Sequence, residues 1–194
     1  MGMATWKSPG FALLLGALEL LFLEKLAEIL YPGYSVSQNV ISDLGVGPEP
    51  SRWIFTGGLI VFGVLVLFSA YLRGSPRSIV TILFVLSGAG AIGVAIFNEN
   101  LRGVHLLFAG LAFGMGCLTA IISSRTVKAP LSIVFLTLGI IGLIALVLQS
   151  TKTFLGLGVG GMERMIFYPS LLWALAYGVY LVSIENCEVK KDRP

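Results

Sequence analysis

One length recurs along this chain and limits what it can fold into. Six apolar runs, at about residues 9–30, 53–72, 78–97, 104–123, 131–149 and 165–184, each come close to twenty residues. About twenty residues is what an α-helix needs to cross a hydrocarbon layer ~30 Å thick. Only short polar segments separate the runs: "RGSPR", "NENLRG", "SSRTVKAP" and "STKTFLGLGVGGMER". The 194 residues are 56% hydrophobic and 12% charged, with a mean hydropathy of +0.92. A soluble domain carries roughly 25% charged residues, so this chain lacks the charge to cover itself for water. The period-2 alternation that a membrane barrel requires is absent. The runs therefore predict an all-α integral membrane protein, one domain over residues 1–194, folded as a six-transmembrane-helix bundle. The first run is about as long as a full span, is charged at its far end and has no small-x-small cleavage site after it, so a retained span is expected rather than a signal peptide.

Orientation follows from the basic residues in short loops. With six spans, Lys7, Arg73, Arg77, Arg125, Lys128, Lys190, Lys191 and Arg193 share one side, and Arg52, Arg102, Lys152 and Arg164 the other. That bias predicts both termini in the cytoplasm. A net charge of +3 dispersed between apolar runs reads as topology, and no nucleic-acid partner is expected. The two cysteines, Cys117 and Cys187, make no disulfide framework. Glycine clusters inside the spans at residues 87–93 and 110–116. The Gly110/Gly114 spacing predicts close helix packing within the bundle, with homo-oligomerisation as the alternative use.

The predicted outer loops carry the unusual chemistry. The stretch "YSVSQNVISDLGVGPEPS", residues 34–51, holds four serines, a Gln, an Asn, an Asp and a Glu but no Lys or Arg. A hairpin between two spans needs far fewer residues, so an ordered lid is expected here, presenting Asn39, Ser42 and Asp43. "SDLG" predicts a helical turn capped by Gly45 in the left-handed region. Asn98 and Glu99 end the third run, and His105, the one histidine, opens the fourth; an ionisable group at a span edge is a functional candidate, and imidazole exchanges protons near neutral pH. "GLGVGGMER" reads as a loop that delivers Glu163 and Arg164 to the start of the sixth span. Arg164 is able to hold a phosphate or carboxylate headgroup in a two-point fork or to pair with its neighbour Glu163. Glu19 lies deepest in the first span, where a carboxyl is costly. Ser35, Ser37 or Ser42 as nucleophile with His105 as base and Asp43 as orienter, or His105 with Glu163, compose a catalytic set in residue type. Zinc-type spacings are missing, and neither a metal nor a cofactor is expected.

These same segments, with "VHLLFAG" and "GGMERMIFYPSLLWALAYGVYL", resemble the membrane family catalogued as domain of unknown function 998, found in archaea and bacteria. Residues 42–45 are the most specific part of the likeness. More distantly, "ISDLG" followed by "GPEPS" is similar to the segment after the first span of the DRAM and GPI-lipid-remodelling six-span proteins, with Leu44 in place of a Thr and Gly47 in place of a Pro. The resemblance implies a six-helix bundle in a prokaryotic plasma membrane, with an outward-facing site for lipid. Three uses of such a site follow: binding of a membrane lipid or small amphiphile at Asn39, Asn98, Glu99 and Arg164; interfacial lipid hydrolysis or acyl transfer by His105 with Asp43 or Glu163; or transport through the bundle at Glu19.

Overall fold

The computed structural model of the protein describes residues 7–191, with the side chains of 186 and 188–191 excepted. Of the basic residues counted for orientation, Arg193 lies outside the described residues, and Lys190 and Lys191 are described by backbone alone. All regular structure among the described residues is helical: α1 (Pro9–Ile29), α2 (Ser51–Leu72), α3 (Ile79–Ile96), α4 (Arg102–Ala109), α5 (Met115–Ser123), α6 (Leu131–Ser150) and α7 (Gly158–Lys191). A π-helical turn, Gly110–Gly114, joins α4 to α5, so that they run as one rod. Short 3₁₀ turns stand at Ile41–Gly45 and Glu99–Leu101.

Five helical segments are long and apolar enough to cross a membrane: Ser51–Leu72, Ile79–Ile96, Glu99–Thr126, Leu131–Ser150 and Gly158–Glu185. Their outer faces expose large apolar side chains, among them Leu107, Ile133 and Val147. A surface of that kind suits lipid and not water. The protein is thus a helical integral membrane protein by composition. The sixth expected span, α1, is 21 residues long but carries Glu19, Glu24, Lys25 and Glu28, and it is not among the five.

The last helix starts earlier than its apolar run predicts. Gly156 and Gly158 take φ of +82° and +77°, a region where only glycine sits without strain. They turn the chain directly into α7 at Gly158. The segment read as a glycine-rich loop is therefore helix, and Glu163 and Arg164 lie in its second turn.

Each helix packs on its neighbour in the chain, and α7 closes back onto α1. Glycines set the close crossings. A Cβ on Gly63 of α2 would stand 2.8 Å from the Gly88 carbonyl oxygen of α3, and one on Gly10 of α1 would stand 2.6 Å from the Gly178 carbonyl oxygen of α7. Such approaches let dispersion hold helices together where lipid removes the hydrophobic drive. The expected pair is not where this happens: a Cβ on Gly110 meets nothing within 4 Å, and one on Gly114 only Leu146 at 3.8 Å. Those two residues form the π turn instead. There the Ser87 hydroxyl donates to the Ala112 carbonyl oxygen at 2.8 Å. Phe84, Phe135, Trp173 and Tyr177 fill the opposite part of the interior edge-to-face, and the Trp173 indole N–H donates to the Ser123 hydroxyl at 2.9 Å.

Gly63→Val is expected to force α2 and α3 apart and to destabilise the protein by about 1–3 kcal/mol, whereas Gly110→Ala should leave stability unchanged. Unfolding of the two variants in mixed detergent micelles measures the contrast.

Candidate functional site

Glu163 and Arg164 sit side by side on α7 and reach in different directions. Together they hold the long segment between α1 and α2 against the bundle. Arg164 is 5% exposed. Its Nη1 donates to the carbonyl oxygens of Val36 at 2.8 Å, Asn39 at 3.2 Å and Gly160 at 3.0 Å. Its Nη2 donates to a Glu28 carboxylate oxygen and to the Tyr34 hydroxyl at 3.0 Å. Tyr34 passes its own hydroxyl hydrogen to the Val40 carbonyl at 2.9 Å. Burial pushes the Tyr34 phenol well above its ordinary range, although the Arg164 guanidinium beside it pulls the other way. The hydroxyl therefore stays a donor.

The clamp continues into α1. Lys25 Nζ lies 2.6 Å from Glu28 Oε2 and 3.3 Å from Glu24 Oε1, and the Tyr168 hydroxyl donates to Glu24 Oε1 at 3.2 Å. Glu24 is fully buried. A charge hidden from water is tolerated only when paired and hydrogen-bonded, and three of the four ionisable residues of α1 are so arranged.

Close backbone approach seats the lid on α7. Gly160 N–H donates to the Ser37 carbonyl at 3.0 Å, and a Cβ on Gly160 would fall 2.0 Å from the Asn39 carbonyl oxygen. The first turn of α7 has N–H groups without partners inside the helix, and the Ser37 carbonyl takes the one of Gly160. Asp43 accepts from Val40 N–H at 3.1 Å and from the Asn39 side-chain amide at 3.0 Å, while Asn39 Oδ1 accepts from Ser35 N–H at 3.0 Å. Asn39 and Asp43 thus fold the lid on itself. Gly45 has no left-handed φ; it lies in the 3₁₀ turn, where a Cβ would meet Phe55 at an ordinary 3.7 Å.

The lid brings Ser42 to a second group of polar residues. Its hydroxyl donates to Glu99 Oε1 at 2.8 Å and lies 3.5 Å from Glu163 Oε1. The other Glu163 oxygen accepts the Ile41 N–H. Glu99 Oε1 also stands 3.5 Å from His105 Nε2. His105, 3% exposed, has its Nδ1 2.8 Å from the Phe97 carbonyl oxygen. A carbonyl only accepts, so Nδ1 carries a hydrogen, and Nε2 is the nitrogen that faces Glu99. The acid beside His105 is accordingly Glu99, rather than Asp43 or Glu163.

Beneath this group lies a small cavity of about 10 Å³, walled by Ser42, Thr56, Leu59, Val94, Asn98 and His105. That is close to the space one water molecule needs. Leu59 and Val94 also wall a larger apolar cavity of about 60 Å³ inside the bundle, together with Phe113, Gly116, Phe167 and Ser170. The small polar cavity and the apolar chamber thus share two wall side chains, Leu59 and Val94.

The residues expected from sequence divide into two sets. Ser42, Glu99, Glu163 and His105 come together, with Asn98 on the wall of the small cavity. Arg164, Asn39 and Asp43 hold the lid in shape; Nη1 and Nη2 of Arg164 serve protein acceptors, while its Nε is buried without one. Glu19 lies apart, between α1 and α2 against Gly58, and its Oε2 is buried without a protein partner. Sequence reading missed the Arg164–Glu28 pair and the part played by Tyr34. Glu28 has Lys25 one turn away and looks satisfied locally, so only the fold reveals its longer-range partner. Among the described residues no three of His, Cys, Asp and Glu are placed to hold a metal ion.

Comparison with known proteins agrees with this architecture at the level of family. The family model described as "Protein of unknown function (DUF998)" matches residues 13–180, and the chain belongs to that family. Nothing among curated proteins or solved structures matches it.

Arg164→Lys keeps the charge but cannot reach acceptors on Glu28, Tyr34 and three carbonyls at once. Removing one partner of a buried pair costs about 3–5 kcal/mol. The lid of this variant is expected to come off α7 and become cleavable near Gln38. Limited proteolysis of the variant beside the wild type checks this.

Proposed function

We propose that this member of the DUF998 family binds a membrane lipid or a similar amphiphile. A few methylene groups of its chain enter the apolar chamber of about 60 Å³, which has to widen for a longer chain, and its polar end meets Ser42, Asn98, Glu99 and His105. One observation carries the reading: the chamber and the polar cavity share Leu59 and Val94, so an amphiphile entering there meets apolar walls at one end and hydrogen-bonding groups at the other. Ligand sites have this build, mostly apolar with a few placed polar groups. Arg164 acts in this reading on the lid and not on the headgroup, because a headgroup taking Nη1 and Nη2 would have to displace the Glu28, Tyr34 and carbonyl contacts. The π turn supports the same region, since π turns concentrate at functional sites and Ala112 lines the chamber.

In this reading α1 is a sixth span. Its charges are tolerable in the bilayer because Glu24, Lys25 and Glu28 are paired with one another and with α7. Both termini lie in the cytoplasm and the lid faces outward across a prokaryotic plasma membrane, as the basic-residue bias indicates. Glu19 is not on the chamber wall, which disfavours transport.

Two measurements test the reading. Gly116 lines the chamber, and a Cβ placed there would have its nearest contact at 3.7 Å, so Gly116→Val fits the helix while filling the space. Lipid retained by wild-type protein through purification, seen by native mass spectrometry, is expected to fall by about tenfold in Gly116→Val, a difference of ~1.4 kcal/mol. Equal retention in both would overturn the chamber as the binding site. For topology, Gln38→Cys should react with an impermeant maleimide on intact cells, whereas the exposed native Cys187 should react only after permeabilisation.

A further inference from the structure

The geometry points to acyl-ester cleavage at the outer group, with Ser42 as nucleophile; this deepens the lipid-binding reading and rests on it. The Ser42 hydroxyl already directs its hydrogen at a carboxylate, Glu99 Oε1, at 2.8 Å. That same oxygen faces His105 Nε2 at 3.5 Å. A hydroxyl becomes a nucleophile when a base stands ready for its proton, and here the base is backed by a second group able to take up and return that proton. The 3₁₀ turn Ile41–Gly45 fixes the serine. Glu163 fixes the turn, by accepting the Ile41 N–H. Ser42 is 8% exposed, but it opens onto the small cavity shared with Thr56, Asn98 and His105. An acyl chain in the chamber below would bring its ester carbon to that cavity. The Thr56 hydroxyl and the Asn98 amide on its wall are donors for the carbonyl oxygen.

The chemistry balances without a further reagent other than water. Ser42 Oγ bonds to the ester carbon as its proton passes to Glu99, and the carbonyl electron pair moves onto oxygen. Collapse breaks the bond to the alkoxy oxygen, which leaves as the alcohol with the proton returned from the Glu99–His105 pair. Water then attacks the acyl carbon and its proton goes to the same pair. The Oγ–carbon bond breaks, Ser42 recovers a proton and a fatty acid departs. A hydroxyl that merely tied the turn to Glu99 would have the same ground-state distances but no reactivity.

Reactivity is therefore what should be measured. The full-length protein in lipid nanodiscs is treated with a long-chain alkyl fluorophosphonate and examined by intact mass and peptide mapping, with retained lipid measured on the same preparations. Wild type is expected to gain one adduct, mapped to Ser42. Ser42→Ala should show none while keeping its helical content. Glu99→Gln should label roughly 10²-fold more slowly, the size of a general-base contribution. Unlabelled wild type that still carries lipid would overturn the nucleophile and leave the binding reading intact. Labelling at another serine, or equal labelling of Glu99→Gln, would also overturn it. An adduct on Ser42 in protein that retains no lipid would keep the chemistry and overturn the binding reading.

Discussion

A guanidinium removed from water has to find its hydrogen-bond acceptors within the protein, and this requirement organises one end of the bundle. Arg164 meets it with Glu28 on α1, Tyr34 and two carbonyls of the lid, and one carbonyl of its own helix. Those contacts join α1 and the lid that follows it to α7, more than a hundred residues further along the chain. They also explain why α1 can carry Glu24, Lys25 and Glu28 along a helix otherwise made of Leu, Ala and Phe. Each of those charges has a counterpart, and the chain of pairs ends on α7.

The neighbouring Glu163 applies the same principle with opposite charge. It accepts the Ile41 N–H at the entry of the 3₁₀ turn, and so determines where Ser42 points. Two adjacent residues on α7 thereby do separate things: one secures the lid's first half to α1, and the other aims its second half at Glu99 and His105. The apolar chamber lies under the second half only. Polar contacts at the rim and small-residue packing between helices divide the labour, since the chamber's walls hold few groups that could orient a ligand by themselves.

Much of this was legible in the sequence where the signal is local. Five of the six apolar runs matched helices of membrane length because the period and length of a span are written residue by residue. The first run was read as a helix and is one, although its charges keep it outside the apolar set. Asn39 and Asp43 were recognisable as turn formers from residue type, and they do fold the lid on itself. What escaped was partnership at a distance. Arg164 was weighed against adjacent Glu163 as a partner, yet the side chains diverge and the partner is Glu28, 136 positions away. Asp43 was set beside His105 on the strength of type, but its own turn engages it and Glu99 takes that position. "GLGVGG" looked like a loop because glycine usually marks one. Here Gly158 and Gly160 are glycine because the lid's backbone lies against them, a constraint that belongs to the packing and has no local mark.

The lid belongs to the first third of the chain and its anchors to the last. During synthesis α1 leaves the ribosome with Glu24, Lys25 and Glu28 able to pair among themselves, but Arg164, the further partner of Glu28, is more than a hundred residues from being made. Until α7 is in place, then, Glu28 lacks that partner and the group around Ser42 cannot assemble, because Glu163 is on α7 as well. A chain arrested before α7 has neither a seated lid nor a complete set of partners for α1, so the last helix to be made is also the one that settles the first.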